Sequence, residues 1–353
     1  MTMDAAPPPS PSPSRGGGLG RGHEGGGRPY APLLEVKNLR VEFPTRRGNL
    51  VAVDGVSFDI APGEVLGVVG ESGAGKSLTG MAIIGLLEPP GRIAAGEIWL
   101  EGGRIDNLRR EALRGIRGRR IGAIFQDPLT SLDPLYTIGR QITETILAHL
   151  PVSRREAREQ AIALLAEVGI PAPELRLDHY PHQFSGGMRQ RVVIALALCA
   201  QPKLIIADEP TTALDVSTQA QIITLLQRLS REHGAAVMLI THDMGVIAET
   251  AHRVAVMYAG RIVEIGPVRS VLRAPSHPYT AGLMRSIPRV GPTGAPLAQI
   301  DGAMPRLDAI PPGCAFHPRC PQRFEPCDRE RPWLFKTGDR LAACWLHGDP
   351  RAT

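Results

Sequence analysis

The chain has 353 residues, with 40 Lys and Arg against 35 Asp and Glu for a formal charge of +5, and 43% of its residues are hydrophobic. That is enough for one large domain with an appendage or for two domains, and long enough to hold together without disulfide staples. The charge surplus is mild and no basic stripe is interleaved with aromatics, which argues against a dedicated nucleic-acid binder. The longest wholly apolar run, Val192 to Ala200, falls well short of the roughly 20 residues a membrane span requires.

Residues 1 to 30 hold fourteen Gly or Pro, including Pro7-Pro8-Pro9 and two Gly triplets, and too little apolar surface to offset ordering entropy, so a disordered tail is expected there. The N-terminus shows no basic, apolar, small-residue order of a secretory leader, so a cytoplasmic chain with its five cysteines reduced is expected. From Leu33 the text changes. Leu34, Val36, Leu39, Val41 and Phe43 precede a second alternating run, Val51 to Ile60, as expected of antiparallel strands with one buried face. Pro62-Gly63 turns the chain into Val65 to Val69, a β-branched run suited to a strand covered on both faces. Seven arginines between Arg104 and Arg120 read as a solvated helix face and turn ahead of a strand from Ile121 to Phe125. Residues 129 to 180 carry helical pattern without strand-like runs, so a helical insertion is expected. Leu204 to Ala207 and Val237 to Ile240 are further buried strands. Between them Val216 to Glu232 has helical spacing, with Asp215 or Ser217 before it and Gly234 after it. Past Arg273 Pro and Gly rise again and four of the five cysteines cluster, marking a C-terminal appendage.

Three stretches carry chemistry. Gly70, Glu71, Ser72, Gly73, Ala74, Gly75, Lys76 and Ser77, with position 78 counted in, follow an apolar strand and open a helix. There the glycines allow backbone amides to wrap phosphates, Lys76 would neutralise the β and γ phosphates, and Ser77 would ligate Mg²⁺. Lysine occurs at only four positions, 37, 76, 203 and 336, so chance placement is improbable. Asp208-Glu209-Pro210 puts two adjacent carboxylates at the exit of a buried strand. A Mg²⁺ held through water by Asp208, with Glu209 polarising the attacking water, accounts for both charges. Phe184-Ser185-Gly186-Gly187-Met188-Arg189-Gln190-Arg191 forms a second anion-binding helix start that one nucleotide does not need, so it must serve another chain's nucleotide.

With this third stretch the sequence resembles the ABC ATPases, whose signature reads Leu-Ser-Gly-Gly-Gln in its usual form; Phe184 stands for the Leu and Met188 for the Gln. The resemblance spans about residues 33 to 270. It implies an α/β P-loop NTPase fold of the ABC type: a RecA-like core, an antiparallel β subdomain and a helical subdomain over about 128 to 190, all within an ATPase domain of residues 31 to 270. It also implies roles. The Ser185 hydroxyl and Gly187 amide would meet a γ phosphate across a dimer, and Phe43 would stack on adenine. Gln126 would sense Mg²⁺ and the membrane partner, Asp215 would be the intersubunit aspartate, and His242 would contact the γ phosphate.

The finer resemblance is to the peptide and nickel importer branch. It is carried by Phe125-Gln126-Asp127-Pro128-Leu129-Thr130-Ser131-Leu132-Asp133-Pro134, by His277-Pro278-Tyr279-Thr280 and by Gly313-Cys314-Ala315-Phe316-His317-Pro318-Arg319-Cys320. It implies an ATP-hydrolysing subunit at the cytoplasmic face of the inner membrane, powering uptake of di- or oligopeptides, with nickel or another small solute as the alternative and a soluble non-transport ABC ATPase as a remoter one. Its partners would be two permease subunits, a second and different ATPase subunit, and an extracytoplasmic solute-binding protein, with no nucleic acid. Residues 271 to 353 would form the C-terminal domain of that branch. Within it Cys314, Cys320, Cys327 and Cys344 are separated by five, six and sixteen residues. An iron–sulfur cluster, zinc and four unligated thiols are the readings open to such spacing, with the cluster preferred; the resemblance supports a four-iron, four-sulfur centre. Cys199, on an apolar helical stretch, reads as a small buried hydrophobe.

Overall fold

The alternation over Leu34–Thr45 (β1) and Gly48–Ile60 (β2) does what it predicts: Leu34, Val36, Leu39, Val41, Val53 and Ile60 are all buried along one face. The two strands pair antiparallel, Leu34 opposite Ile60 and Thr45 opposite Gly48. The computed structural model from which these positions are taken describes residues 31–212, 214–287 and 299–348, and the tail expected over residues 1 to 30 lies outside them. Val65–Val69 (β3), buried at every position, leads into Lys76–Ile83 (α1). Arg92–Leu100 (β4) pairs antiparallel with β1, and Gly103–Arg104 (β5) completes a four-stranded sheet in the order β2-β1-β4-β5. Strand β4 had no clear signal because only Ile98 and Leu100 of its nine residues are buried.

Arg110–Ile116 (α2) and Ile121–Ile124 (β6) follow. Arg109, Arg110 and Arg114, at and on α2, are exposed as the expected solvated helix face, while the other four arginines of the run bond within the protein. Arg104 bonds Asp106 and Glu97, Arg117 donates to the Ile84 and Gly85 carbonyls, Arg119 to Ala200, and Arg120 to Glu101 and the Leu100 carbonyl. Of these, Arg120 ties the end of β4 in the first sheet to the chain entering β6 of the second.

Residues 129 to 180 are helical as expected: Pro128–Ser131 (α3), Ile138–His149 (α4), Arg154–Glu167 (α5) and Pro173–Arg176 (α6), followed by Gly186–Leu198 (α7). Ile138, Ile142 and Ile146 on α4 face Ala157, Ala161 and Leu165 on α5, all at i, i+4 spacing and all fully buried. A capping box fixes the start of α5, the Ser153 N–H donating to Glu156 Oε2 at 2.7 Å.

The second sheet is built from Leu204–Asp208 (β7), the capped helix Val216–His233 (α8), Ala236–Ile240 (β8), Met244–Thr250 (α9), Arg253–Tyr258 (β9) and Arg261–Pro267 (β10). Asp215 caps α8 and Gly234 ends it in the left-handed conformation, as the sequence signals require. Val268–Arg273 (α10), Pro278–Arg285 (α11), Phe335–Thr337 (β11) and Arg340–Ala342 (β12) complete the chain. The strand order is β11-β12-β10-β9-β3-β8-β7-β6, with β6, β7, β8, β3 and β9 parallel. The cysteine-bearing segment thus lends two strands to the core sheet, Ala342 lying opposite Glu264 of β10.

Alternate residues of the parallel strands face two different cores. Val65, Val69, Ile205 and Ala207 belong to one, packed by the helices of residues 138–198 and by α8. Leu66, Val68, Leu204 and Ile206 belong to the other, packed by the antiparallel sheet and α1. Polar positions are therefore absent from β3 and β7 until they end, and that is where the chemistry begins. Among the described residues no helix is long and apolar enough to cross a membrane.

Candidate active site

Strand β3 stops at Val69 and α1 starts at Lys76, so Gly70 to Gly75 must turn the chain through one tight loop. Gly70 (φ +151°) and Gly75 (φ +98°) adopt conformations that L side chains avoid. A Cβ on Gly70 would lie 2.2 Å from the Met257 carbonyl oxygen, and one on Gly75 would lie 2.9 Å from that of Ala52. The loop leaves the first amides of α1 without intrahelical acceptors, a cradle for an anion. Lys76 is buried, its Nζ donating to the carbonyls of Gly70 at 2.8 Å and Glu71 at 3.0 Å. Burial lowers the pKa of its ammonium, while Glu209, Asp208 and Glu71 act to raise it. Position 78 does not belong with these residues: it is Leu78 of α1, whose half-buried apolar side chain packs against the core under the antiparallel sheet.

The carboxyl ends of three neighbouring parallel strands converge on the loop. Asp208, the last residue of β7, is buried and accepts a hydrogen bond from Ser77 Oγ at 3.0 Å. Burial raises its pKa and the Glu209 charge adds to that, with Ser77 and Lys76 opposing. A hydroxyl and a carboxylate so close together are the all-oxygen donor pair that suits Mg²⁺. Glu209 follows in a left-handed conformation (φ +46°), its N–H donating to the Ile240 carbonyl of β8 at 2.8 Å. That turn takes the side chain out of the sheet and into a polar set. Glu209 Oε2 accepts from Gln126 Nε2 at 3.1 Å and from Thr212 Oγ1 at 2.9 Å, and Oε1 lies 3.3 Å from His242 Nδ1. Gln126, Glu209 and His242, separated by 83 and 33 residues, are thereby in one cluster. Thr212 was not anticipated; the only signal is its place three residues after Glu209 in the same turn.

The other expected residues stand apart. Ser185 caps α7 by accepting the Met188 N–H, and it and Gly186 are exposed. Among the described residues no hydrogen bond links Ser185 to the Lys76–Glu209 assembly. Gly187 packs so closely that a Cβ would lie 2.9 Å from Thr218 Cγ2. The exposed Asp215 accepts from the Thr218 N–H and hydroxyl at 2.9 and 2.7 Å, bonds that hold its carboxyl below the usual range; Ala213 beside it lies outside the described residues. Phe43 is half-buried, one ring edge against Gly91. Two residues that the sequence marks only as family motif, with no role at the site, also reach the loop: Tyr279 and Arg319 both bond Glu71.

Cys314, Cys320, Cys327 and Cys344 line one cavity together with His277, Phe316 and His317. Burial pushes Cys314 and Cys344 each up to about 11. Among the described residues no three His, Cys, Asp or Glu side chains form a group able to hold a metal ion, so the expected cluster finds no ready-made metal site here. Cys199 is buried, its thiol donating to the Leu196 carbonyl, and burial pushes it up to about 12.

A family model described as ABC transporter matches residues 53–212, and one described as oligopeptide/dipeptide transporter, C-terminal region, matches residues 263–327. The dipeptide transport ATP-binding protein DppD of Bacillus subtilis is 49% identical over 322 residues, covering 91% of this chain and 96% of its own. The oligopeptide transport ATP-binding protein OppD of Salmonella typhimurium is 48% identical over 318 residues, covering 90% and 95%. Among solved structures, the dimeric post-hydrolysis state of the ATP-binding cassette MJ0796 bound to ADP and Pi aligns with a TM-score of 0.60 at 30% identity, covering 67% of this chain and 99% of that one. The fold is that of the ABC ATPases, and the chain is an ATPase belonging to the dipeptide and oligopeptide transport family of ABC ATP-binding proteins.

Proposed function

We propose that this chain hydrolyses ATP to power uptake of di- or oligopeptides through two separate permease subunits, docked as a peripheral protein on the cytoplasmic face of the inner membrane. The observation that carries the reading is the convergence of Lys76, Ser77, Asp208, Glu209, Gln126 and His242 at the carboxyl ends of neighbouring parallel strands, in a chain whose C-terminal segment matches the oligopeptide/dipeptide transporter region. Residues 31 to 270 would be the ATPase domain, with 128 to 190 as its helical subdomain, and 271 to 353 the C-terminal domain. The loop amides from Gly70 to Ser77 would bind the phosphates and Lys76 would turn from its carbonyls to the β and γ phosphates. Ser77 and Asp208 would hold Mg²⁺, which when bound neutralises charge on those phosphates. Glu209 would take up the proton of the attacking water, His242 would hold the γ phosphate, and Gln126 would report the state of the site to the permeases. Phe43 would stack on adenine. Ser185, Gly187 and Asp215, away from this chain's own loop, would complete the nucleotide site of a second, different ATPase subunit. A solute-binding protein outside the membrane would deliver the peptide.

The test is reconstitution of the chain with its permeases and partner ATPase in vesicles. ATP-dependent accumulation of a labelled peptide is expected, lost in Lys76→Ala. Accumulation of a nickel chelate but not of peptide would overturn the cargo, and ATPase activity indifferent to the permeases would overturn transport.

For the four cysteines we propose a four-iron, four-sulfur cluster held by Cys314, Cys320, Cys327 and Cys344. Their lining of one cavity supports it, as does the all-thiol donor set, which suits iron–sulfur chemistry; the four side chains do not stand as a metal-holding group as they are and would draw together around the cluster. Anaerobically purified chain is expected to carry about four iron and four sulfide with a broad visible band. Retention of that band when Cys320 and Cys327 are both replaced by Ser would rule the assignment out.

A further inference from the structure

Glu71, the second residue of the phosphate loop, is held through three of its polar groups. Its N–H donates to the Tyr279 hydroxyl at 2.8 Å, its carbonyl accepts from Lys76 Nζ at 3.0 Å, and its Oε2 accepts from Arg319 Nη1 at 3.0 Å. Tyr279 and Arg319 lie 208 and 248 residues further along the chain. Neither is a loose contact. Tyr279 is fully buried, and the Arg319 side chain is only 8% exposed. Arg319 is itself anchored by donating to the carbonyls of Asp301 at 2.8 Å and Ile300 at 3.2 Å. Tyr258 packs edge to face with Tyr279 and Phe316, which tilt against each other, with ring centroids 4.7 to 5.4 Å apart, and the Arg319 guanidinium lies 5.8 Å from the Tyr258 ring centre.

The electrostatics give this anchoring a purpose. A carboxylate in a phosphate loop repels a triphosphate, and Glu71 is such a carboxylate. Its Oε1 is buried with no hydrogen-bond partner among the described residues, so pairing with Arg319 is what offsets its charge. The Tyr279 hydroxyl meanwhile occupies the Glu71 N–H and fixes the entry of the loop. We propose that α11 and the cysteine-bearing segment together complete the ATP site, with Tyr279 of the one and Arg319 of the other as positioning residues that clamp the phosphate loop and neutralise Glu71. This rests on the reading that the Lys76 loop binds ATP. Cys320 follows Arg319 directly, so the cavity lined by the four cysteines and the phosphate loop share one short turn, His317–Arg319.

The experiment measures Mg-ATP affinity of the full chain with a fluorescent ATP analogue, and KM and kcat of the complex assembled with its partner ATPase. Arg319→Ala is expected to weaken affinity and raise KM about tenfold, the scale of one charge-assisted hydrogen bond, with kcat little changed. Adding Glu71→Ala to it removes the unpaired carboxylate and is expected to recover most of that loss, a rescue that a merely structural role for Arg319 would not give. Tyr279→Phe keeps the buried ring and is expected to weaken ATP binding severalfold; it remains informative if Arg319→Ala unfolds. Wild-type affinity in both Arg319→Ala and Tyr279→Phe, or a double variant as weak as Arg319→Ala, overturns the proposal. Lys76→Ala separates this from failure of the underlying reading: if it binds ATP as the wild type does, the loop itself has been misassigned.

Discussion

Glu209→Gln is expected to lower steady-state ATP hydrolysis by about 10²- to 10⁴-fold, the range for loss of a general base, while ATP still binds. The substitution keeps shape and removes charge. A glutamine at 209 retains an oxygen to accept from Thr212 Oγ1 and Gln126 Nε2, now at 2.9 and 3.1 Å from the carboxylate, so the turn after β7 should survive. The backbone position at φ +46° is unchanged in kind, since neither side chain is favoured there over the other. What disappears is the group able to take a proton from water. Binding should hold or tighten, because Glu209 is one of three carboxylates whose charge is felt by Lys76, and removing a negative charge near a triphosphate lowers repulsion. The check is phosphate release by the complex assembled with its partner, alongside binding of a fluorescent ATP analogue. Hydrolysis at the normal rate would remove Glu209 from the chemistry, and loss of binding would make it a structural residue of the β7 turn.

The parts of this fold that could be read from sequence are those whose physics is local. The unit from Leu204 to Ile240 declared itself through two five-residue buried strands, a capped helix and a terminal glycine, and each came out within a residue or two of its expected bounds. The phosphate loop was equally plain, because the glycines, the lysine and the preceding strand are contiguous. Gln126, Glu209 and His242 were a different matter. They meet only because β6, β7 and β8 lie side by side in parallel, and no periodicity reveals strand order; a family resemblance supplied what pattern could not. Thr212 escaped because a threonine in a turn is ordinary until a carboxylate is found 2.9 Å from it.

The C-terminal segment shows the limit most clearly. Its strands β11 and β12 are three residues each, and of the six only Ala342 is buried, so nothing in the sequence announces that they extend the core sheet. The bond from the Glu71 N–H to Tyr279 spans 208 residues and was invisible for the same reason. The cysteines were countable, but their gathering around one cavity depends on backbone pairing such as the Cys314 N–H with the Cys327 carbonyl at 2.8 Å, which spacing alone does not determine.

Gly70→Ala is expected to destroy ATP binding and to cost about 2–6 kcal/mol of folding stability, combining backbone strain of about 1–3 kcal/mol with an overpacking cost of similar size. At φ +151° an alanine is strained whatever the space around it, and the space is already taken: its Cβ would lie 2.2 Å from the Met257 carbonyl oxygen. That oxygen cannot step aside. Met257 is buried in β9, whose Val256 pairs in parallel with Val69 immediately before the loop. The loop must therefore yield instead, carrying the Gly70 and Glu71 carbonyls away from Lys76 and the Glu71 N–H away from Tyr279. The control is Gly234→Ala at the end of α8, where φ is +65° but nothing lies within 4 Å of the added Cβ. It should cost only about 1–2 kcal/mol and leave ATP affinity as it was. Thermal unfolding and analogue binding of both variants separate strain from function. Unaltered affinity in Gly70→Ala would mean that the shape of this backbone turn does not determine nucleotide binding.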